Sequence, residues 1–209
     1  MKRFIISILL VCPVIFADAQ KIEEVFIKMP EDKIMHLGDA WRKDLVDLYK
    51  SGKSSTLENT MQGQSTLQKL TNDYLLLQST EFSTVELKLL PLVNNTYVVC
   101  MIETVYAPVA DSRVSFYTTE WQPLTATGIY VPVTEDMFLK GETELSQLGL
   151  SSVQGLDIFL VKYSLSVEDA TLTAEYTTPQ YLDEERQNEI KSLLKTNSVI
   201  YKWNSGRFE

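Results

Sequence analysis

The sequence has little of what enzyme chemistry most often uses. Its 209 residues include one histidine, His36, and two cysteines, Cys12 and Cys100. A single histidine excludes a multi-histidine zinc site and leaves one candidate base for a serine or cysteine triad. His36 precedes Leu37 in a predicted helix, where a half-exposed helical role is favoured over catalysis. We therefore predict no catalytic residue, no metal ion and no cofactor.

Glycine-rich and nucleophile motifs are also missing. The eight glycines are too dispersed for a phosphate-binding loop or a dinucleotide fingerprint. The chain has no Gly-x-Ser-x-Gly elbow and no calcium loop. Carboxylates are the abundant acid–base groups, but Asp39, Asp44 and Asp47 fall opposite the apolar stripe of the first predicted helix, which indicates a solvated face. A carboxylate-dependent hydrolase is therefore the least favoured class of function.

One long apolar run stands at the start of the chain. A basic pair precedes apolar residues 4–16, and a small-x-small site precedes Gln20. These features predict a signal peptide at 1–19 and a periplasmic or secreted protein. The run is short for an uncleaved membrane anchor, which needs about 20 apolar residues. Lipidation at Cys12 is disfavoured because Val11 is not the small residue that lipoprotein processing requires.

Removal of the signal peptide leaves an acidic chain. The remaining residues include 17 basic and 27 acidic side chains, a net charge of −10. This charge disfavours binding to nucleic acid or to an anionic membrane, and no stable membrane insertion is expected after cleavage. Partners should be neutral or basic. Cys100, then the single cysteine, lies in an apolar run and is predicted to be buried and inert, with a raised thiol pKa.

Apolar spacing predicts a helix near the start of the mature chain. Residues 22–27 form a short apolar entry segment, and Met29-Pro30 is typical of a helix start. The helix is expected to run to about Lys50, where Ser51-Gly52 ends it. One face carries apolar residues at three- and four-residue steps, namely Ile34, Leu37, Trp41, Leu45 and Leu48.

The rest of the chain predicts an antiparallel sheet. Alternating apolar residues indicate a meander of strands over 65–70, 74–79, 84–90, 97–106 and 113–118. An irregular segment over 121–132 and a weak helix over 135–148 follow. A hairpin of 157–166 with 170–177, a helix over 183–195 and a strand over 198–203 complete the pattern. We predict an α+β fold: a mostly antiparallel β-meander sheet packed by an N-terminal and a C-terminal helix. Residues 20–209 then form a single domain, or two closely packed lobes.

The segment from Tyr106 to Trp121 is the candidate for a ligand or partner site. It places Tyr106, Tyr117 and Trp121 near Asp111 and Arg113. Aromatic rings beside an arginine are typical of recognition surfaces, because they give large contact area and directional hydrogen bonds. The competing interpretation buries Phe116 and Trp121 in the core and pairs Asp111 with Arg113 across a turn.

Three stretches of the chain together resemble a known family. They are Met29-Pro30 leading into residues 41–50, the motif from Glu86 to Pro91, and Asp111-Ser112-Arg113 continuing through Phe116-Tyr117 to Trp121. The chain resembles an uncharacterised family of secreted Bacteroidales proteins, a domain of unknown function of the DUF3256 kind. The resemblance covers most of the mature chain. It implies bacterial origin and export, and it implies no activity.

Three functions stay open at this point. The favoured one is an exported, non-enzymatic envelope protein that binds a protein or peptide through a sheet face or edge. The second is glycan or small-ligand binding on an aromatic groove that includes Tyr117 and Trp121. The third is the carboxylate-dependent hydrolase, which requires two acids that converge in a cleft.

Overall fold

The computed structural model describes residues 20–147 and 158–209. The predicted signal peptide and two predicted element ends, Leu148 and Asp157, lie outside these ranges. The described residues form three layers: helices, a large sheet and a small sheet. This arrangement confirms the predicted α+β fold.

The large sheet is an antiparallel meander in which each strand pairs with the next one in the chain. Its seven strands are β1 (Thr56–Glu58), β2 (Gln64–Leu70), β3 (Tyr74–Thr80), β4 (Ser83–Pro91), β5 (Tyr97–Tyr106), β6 (Ala110–Thr118) and β7 (Pro123–Leu124). The five long strands are the ones that the alternating pattern predicts. The edge strands β1 and β7 are too short for alternation to reveal them.

The small sheet follows later in the chain. It consists of β8 (Val161–Leu165), β9 (Thr171–Tyr176), β10 (Ser198–Asn204) and β11 (Arg207–Phe208), in the spatial order β11-β10-β9-β8. All its neighbouring strands are antiparallel. The predicted hairpin and the predicted last strand are therefore confirmed within the described residues, while β11 is an addition to the prediction.

Helices lie before and after the large sheet in the chain. They are α1 (Ile22–Ile27), α2 (Asp39–Lys50), α3 (Glu142–Gln147), α4 (Thr178–Tyr181) and α5 (Glu184–Leu193), with 3-10 turns at Glu31–Lys33 and Glu135–Met137. The Asp183 carboxylate caps α5 by accepting a hydrogen bond from Arg186 N at 2.9 Å. This cap agrees with the predicted start of the C-terminal helix.

The first predicted helix needs correction. The segment predicted as a helix from Met29-Pro30 to Lys50 is a 3-10 turn followed by α2, and the predicted entry segment is itself the helix α1. Gly38 is extended, with φ −64° and ψ 169°, so the chain leaves the helical path just before Asp39. Ile34 and Leu37 are buried as expected, but they reach the core from the turn between the helices.

Arg42 explains why the chain breaks there. Its buried guanidinium donates to the carbonyl oxygens of Ile27 at 3.2 Å, Leu37 at 2.6 Å and Met29. These carbonyls lie at the end of α1 and in the link to α2. If the link were helical, each carbonyl would accept from the amide four residues later and could not bond to Arg42. Burial lowers the pKa of Arg42, and its Nε has no hydrogen-bond partner among the described residues. The side chain therefore fixes the loop between the two helices.

Both faces of the large sheet are covered. Leu87 and Met101 face α1 and α2, whereas Cys100 and Ile102 face the small sheet. The central strands consequently read as nearly continuous apolar runs, because side chains on either face are buried. Burial raises the pKa of the Cys100 thiol, which confirms the predicted buried cysteine.

Polar side chains of the large sheet seal the outer edge of β8. Val161 N donates to Asp111 Oδ1 at 3.3 Å, and Tyr163 N donates to the Ser112 hydroxyl at 3.0 Å. Leu165 N donates to Glu86 Oε2 at 2.9 Å. These amides point away from β9, so side chains replace the missing neighbouring strand.

A buried lysine holds the β8–β9 turn on the same face. Lys88 Nζ lies 2.9 Å from Asp73 Oδ2 and donates to Val167 O at 3.1 Å. The ammonium also lies 5.7 Å from the centre of the Tyr74 ring. A charge as buried as that of Lys88 needs such partners, and the turn supplies one of them.

Substitution of Arg42 by methionine tests its role in the loop between α1 and α2. The change leaves three carbonyls without their donor, so we expect Arg42→Met to lower the free energy of unfolding by about 3 kcal/mol. Urea denaturation measures the loss. Lys43→Met, at the exposed neighbouring position, should change stability by less than about 0.5 kcal/mol. Equal effects of the two substitutions would contradict the assignment.

Candidate functional site

The predicted site residues divide between the surface and the core. Tyr106, Asp111 and Arg113 lie at the end of the large sheet where the β1–β2, β3–β4 and β5–β6 turns meet, which we call the distal end. Tyr117 and Trp121 lie further along the chain, where β6 passes under the helices. The structure therefore does not bring the predicted residues into one surface.

Tyr117 and Trp121 belong to the hydrophobic core. They are 8% and 5% exposed, and their ring centres lie 5.2 Å apart. Trp121 Nε1 donates to Val25 O at 2.9 Å, which ties the ring to α1. The Lys33 ammonium covers the Tyr117 ring at 5.2 Å from its centre. The two rings consequently form no open groove.

Asp111 and Arg113 do not pair with each other across the turn. Arg113 donates to Glu103 Oε2 on the neighbouring strand, through Nη2 at 2.6 Å. Asp111 instead accepts from Val161 N at the sealed edge of β8. The charge pair expected from the sequence is therefore replaced by two separate structural contacts, whereas the expected burial of Phe116 and Trp121 is observed.

A polar cleft opens at the distal end between the 3-10 turn Glu31–Lys33 and the strands β4 and β5. It has a volume of about 230 Å³ and is lined by residues that include Lys33, His36, Ser79, Ser83 and Glu103. The Ser79 and Ser83 hydroxyls lie 2.8 Å apart, so each is engaged with the other. The cleft thus contains the histidine of the chain together with hydroxyl groups.

His36 links the turn before α2 to the large sheet in this cleft. It lies in the turn before α2, not within the predicted helix, and its Nε2 is 2.9 Å from Ser79 O. A carbonyl oxygen can only accept, so Nε2 must carry the proton in this contact. The nitrogen that faces the strands is therefore a donor, and its contact joins the turn to β3.

Large apolar side chains are exposed at the distal end. Met35, Met61, Phe82, Val105 and Tyr106 are between 39% and 84% exposed. Backbone contacts place three of them at the same end of the sheet, since Tyr106 N donates to Phe82 O at 2.8 Å and Ser83 lies opposite Val105. Val105 and Tyr106 follow each other in β5, so their side chains face opposite sides of the sheet. On the other side of the cleft, Thr60 N donates to His36 O at 3.2 Å, which brings the β1–β2 turn beside Met35. We call these five residues the apolar rim.

The apolar rim is mostly missed by sequence patterns. Met61 and Phe82 stand alone in polar turns, so they belong to no periodic apolar pattern. The sequence feature that could have found them is a large apolar residue between two polar ones. Met61 lies between Thr60 and Gln62, and Phe82 lies between Glu81 and Ser83. Tyr106 is the member of the rim that the predicted site includes.

Acidic side chains surround the apolar rim. The turns and segments beside it carry exposed carboxylates at Glu31, Asp32, Asp39, Glu58 and Glu81. The nearby Arg113 is already paired with Glu103, and Lys33 with Asp32 at 3.0 Å. The distal end therefore presents apolar contact area in an acidic setting.

Glu86 is the one acid with a raised pKa among the described residues. Burial raises its pKa, while hydrogen bonds from Leu165 N and the Tyr74 hydroxyl oppose the shift. Glu86 lies between the two sheets, where it accepts from the Tyr74 hydroxyl and from Leu165 N. It does not line the distal cleft. The described residues also contain no cluster of three or more histidine, cysteine and carboxylate side chains suited to a metal ion.

The family of the chain follows from its match to a family profile. The profile described as "Protein of unknown function (DUF3256)" matches residues 14–208. The chain belongs to this family. Membership in DUF3256 confirms the resemblance drawn from the sequence motifs and assigns no activity.

A solved structure supports the same relationship. The DUF3256 chain is similar to a domain of an uncharacterized protein from Porphyromonas gingivalis W83, with a TM-score of 0.75 and 27% sequence identity. The match covers 90% of this chain and 98% of that one, and Porphyromonas is a member of the Bacteroidales. No curated protein matches the sequence.

Glu86 gives a prediction for the pH dependence of stability. Its raised pKa means that the folded state holds the proton more tightly than the unfolded chain, so its contribution to stability is largest below the ordinary value of 4.5. That contribution is lost as the pH rises through the folded pKa. Glu86→Gln keeps a hydrogen-bond acceptor but cannot ionise. The free energy of unfolding of the wild type, relative to that of this variant, should therefore fall as the pH rises from 4.5 through the raised pKa of Glu86.

Urea denaturation over a pH series measures the effect. Glu120→Gln, at an exposed position, is the matched control. Glu86→Ala should lower the free energy of unfolding by about 3 kcal/mol, because it leaves Leu165 N and the Tyr74 hydroxyl without an acceptor. A pH profile of Glu86→Gln that parallels the wild type would contradict the assignment.

Proposed function

We propose that the protein is an exported, non-enzymatic envelope protein that binds a protein or peptide partner at the distal end. The observation that carries this proposal is the apolar rim, five large exposed side chains at the distal end, of which Val105 lines the cleft. Single exposed apolar residues are ordinary on protein surfaces, whereas a contiguous group is typical of an interaction site. Methionine and aromatic side chains are also enriched at such sites.

The size of the cleft favours a macromolecular partner over a small ligand. Pockets for small molecules usually have volumes of about 300–1,000 Å³ and enclose most of the ligand. The distal cleft is smaller, at about 230 Å³, and its serine hydroxyls and His36 are already engaged. It suits one side chain of a partner whose remaining contacts fall on the rim.

The acidic surroundings define the partner further. Exposed carboxylates such as Glu58 and Glu81 favour a neutral or basic partner, because charge complementarity speeds association and disfavours acidic competitors. The other two classes of function have less support. A glycan groove on Tyr117 and Trp121 is closed by their burial, and Glu86 has no second acid beside it among the described residues.

Site-specific crosslinking in cells tests the distal end. A photo-reactive amino acid at Phe82 or Met61 should capture the same partner, identified by mass spectrometry. Val93 is the matched control, because it is an exposed apolar residue in the β4–β5 turn at the opposite end of the sheet. Capture at all three positions, or at none, would contradict the proposed surface.

Export is supported by the N-terminal sequence. A basic pair, an apolar run over 4–16 and a small-x-small site are what the export machinery recognises. Within residues 20–147 and 158–209, no helix combines the length and apolar character of a membrane span.

The processed N-terminus tests this part of the proposal. Protein purified from its native cells should begin at Gln20, and mass spectrometry of the intact chain measures this directly. Ala19→Lys replaces the small residue before the cleavage site and should leave the precursor uncleaved. Ala40→Lys, at an exposed position in α2, is the matched control and should be cleaved normally. A native chain that starts at Met1 would contradict export by this route.

A further inference from the structure

The exposed methionines of the described residues lie together at the distal end. Met35 is 84% exposed and Met61 is 70% exposed, whereas Met29 and Met101 are buried and Met137 is partly buried. Thioether sulfur is soft and polarisable, and it is a ligand for soft metal ions. The groups beside Met35 and Met61 therefore decide whether a metal ion can be held there.

His36 follows Met35 in the chain and has the tautomer of a metal ligand. Its Nε2 donates to Ser79 O at 2.9 Å, so in the neutral ring Nδ1 carries the free lone pair. Histidines that bind metal ions are held in this way, with the second ring nitrogen donating to a carbonyl or a carboxylate. Nδ1 has no hydrogen-bond partner among the described residues and is not one of their buried unpartnered atoms, so it is open to solvent.

The turn that carries Met61 is anchored at the same carbonyl as the histidine ring. Asn59 Oδ1 accepts from Met61 N at 3.0 Å, and Asn59 Nδ2 donates to Ser79 O at 3.4 Å. Thr60 N donates to His36 O at 3.2 Å. The β1–β2 turn and His36 are therefore held beside each other by contacts within the protein, without an ion.

Three donor atoms can reach one point at this place. Met35 is next to His36 in the chain, and Met61 is next to Thr60, which is bonded to the His36 backbone. A methionine side chain has three rotatable bonds, and its sulfur lies about 4 Å from its Cα when extended. Both thioethers are exposed, so packing does not prevent them from turning towards Nδ1. Together they offer two sulfur ligands and one nitrogen ligand.

This ligand set favours a soft monovalent cation. Thioether and imidazole ligands suit Cu(I) and its analogue Ag(I), whereas Zn²⁺ takes thiolate, imidazole or carboxylate ligands. The scarcity of histidine and cysteine therefore argues against zinc but does not concern thioether ligands. The exposed carboxylates of Glu31 and Glu58 beside the site also raise the local concentration of cations.

We propose that Met35, His36 and Met61 bind one Cu(I) or Ag(I) ion, through the two thioether sulfurs and His36 Nδ1. Ion binding goes beyond the partner binding proposed for the distal end and does not depend on it, although two of the ligands belong to the apolar rim. The bound ion adds a positive charge to an acidic surface.

The test is an NMR titration of the purified protein, labelled with 13C at the methionine methyl groups, with silver nitrate in chloride-free buffer. Silver is used because Ag(I) keeps its oxidation state in air. We expect saturable shifts of the Met35 and Met61 methyl signals at one equivalent, together with a shift of the His36 ring signals. The methyl signals of the buried and partly buried methionines should stay in place. Zinc nitrate at the same concentration should leave the Met35 and Met61 methyl signals in place.

Substitution of one ligand separates a shared site from two independent thioethers. Met61→Leu keeps the size and the apolar character of the side chain and removes the sulfur. It should weaken Ag(I) binding at Met35 about tenfold or more, because loss of a ligand costs at least as much as loss of a residue that orients one. Met137→Leu is the matched control, because this residue packs against the core beside the small sheet, and it should bind Ag(I) like the wild type.

Three results would overturn the proposal. The first is the absence of shifts at the Met35 and Met61 methyl groups in excess silver. The second is equal Ag(I) binding at Met35 in Met61→Leu and in the wild type. The third is a shift of both methyl signals without any change at the His36 ring. Met61→Leu keeps the apolar rim, so crosslinking at Phe82 reports on the partner surface alone and is not affected by these outcomes.

Discussion

The packing of the small sheet depends on how the edge of β8 meets the large sheet. Backbone amides that face a protein interior must find acceptors, and here Asp111, Ser112 and Glu86 provide them. The same contacts set the position of β8 across β4 and β6, and so enclose the core that contains Cys100. A carboxylate in that core is costly by itself, but its two hydrogen-bond donors make Glu86 part of the join between the sheets.

The long strands could be predicted from the sequence because each one combines β-forming residues with turn residues at both ends. The residues 71–73 and Asn94-Asn95 mark such turns, and Asn95 has the positive φ of 59° that a tight turn favours. The first helix could not be predicted correctly, because apolar spacing carries no information about carbonyl groups. Arg42 binds the carbonyls of the link and holds it in a non-helical path, and Gly38 permits the extended turn into α2.

The sequence pointed to Tyr106, which is exposed, and also to Tyr117 and Trp121, which are buried. For Tyr117 the difference follows from the alternation of side chains along β6. Alternate residues of a strand face opposite sides, and the side that Tyr117 occupies is covered by helices. The sequence shows that aromatic residues are close together, but the layer above them decides whether they are exposed. Tyr106 stays at the surface because β5 ends there, beside Phe82 in the neighbouring turn. Exposed residues of this kind depend on how turns meet in space, which no local pattern records.

The closed edge of β8 limits how the protein can assemble. A sheet with two open edges can add strands on both sides and so polymerise without end. Here the outward-facing amides of β8 donate to side chains of the same chain, so no further strand can pair with that edge. In the large sheet, β7 begins with Pro123 and β1 is three residues long, and neither is a good template. Copies of the chain therefore cannot stack into one continuous sheet through β8.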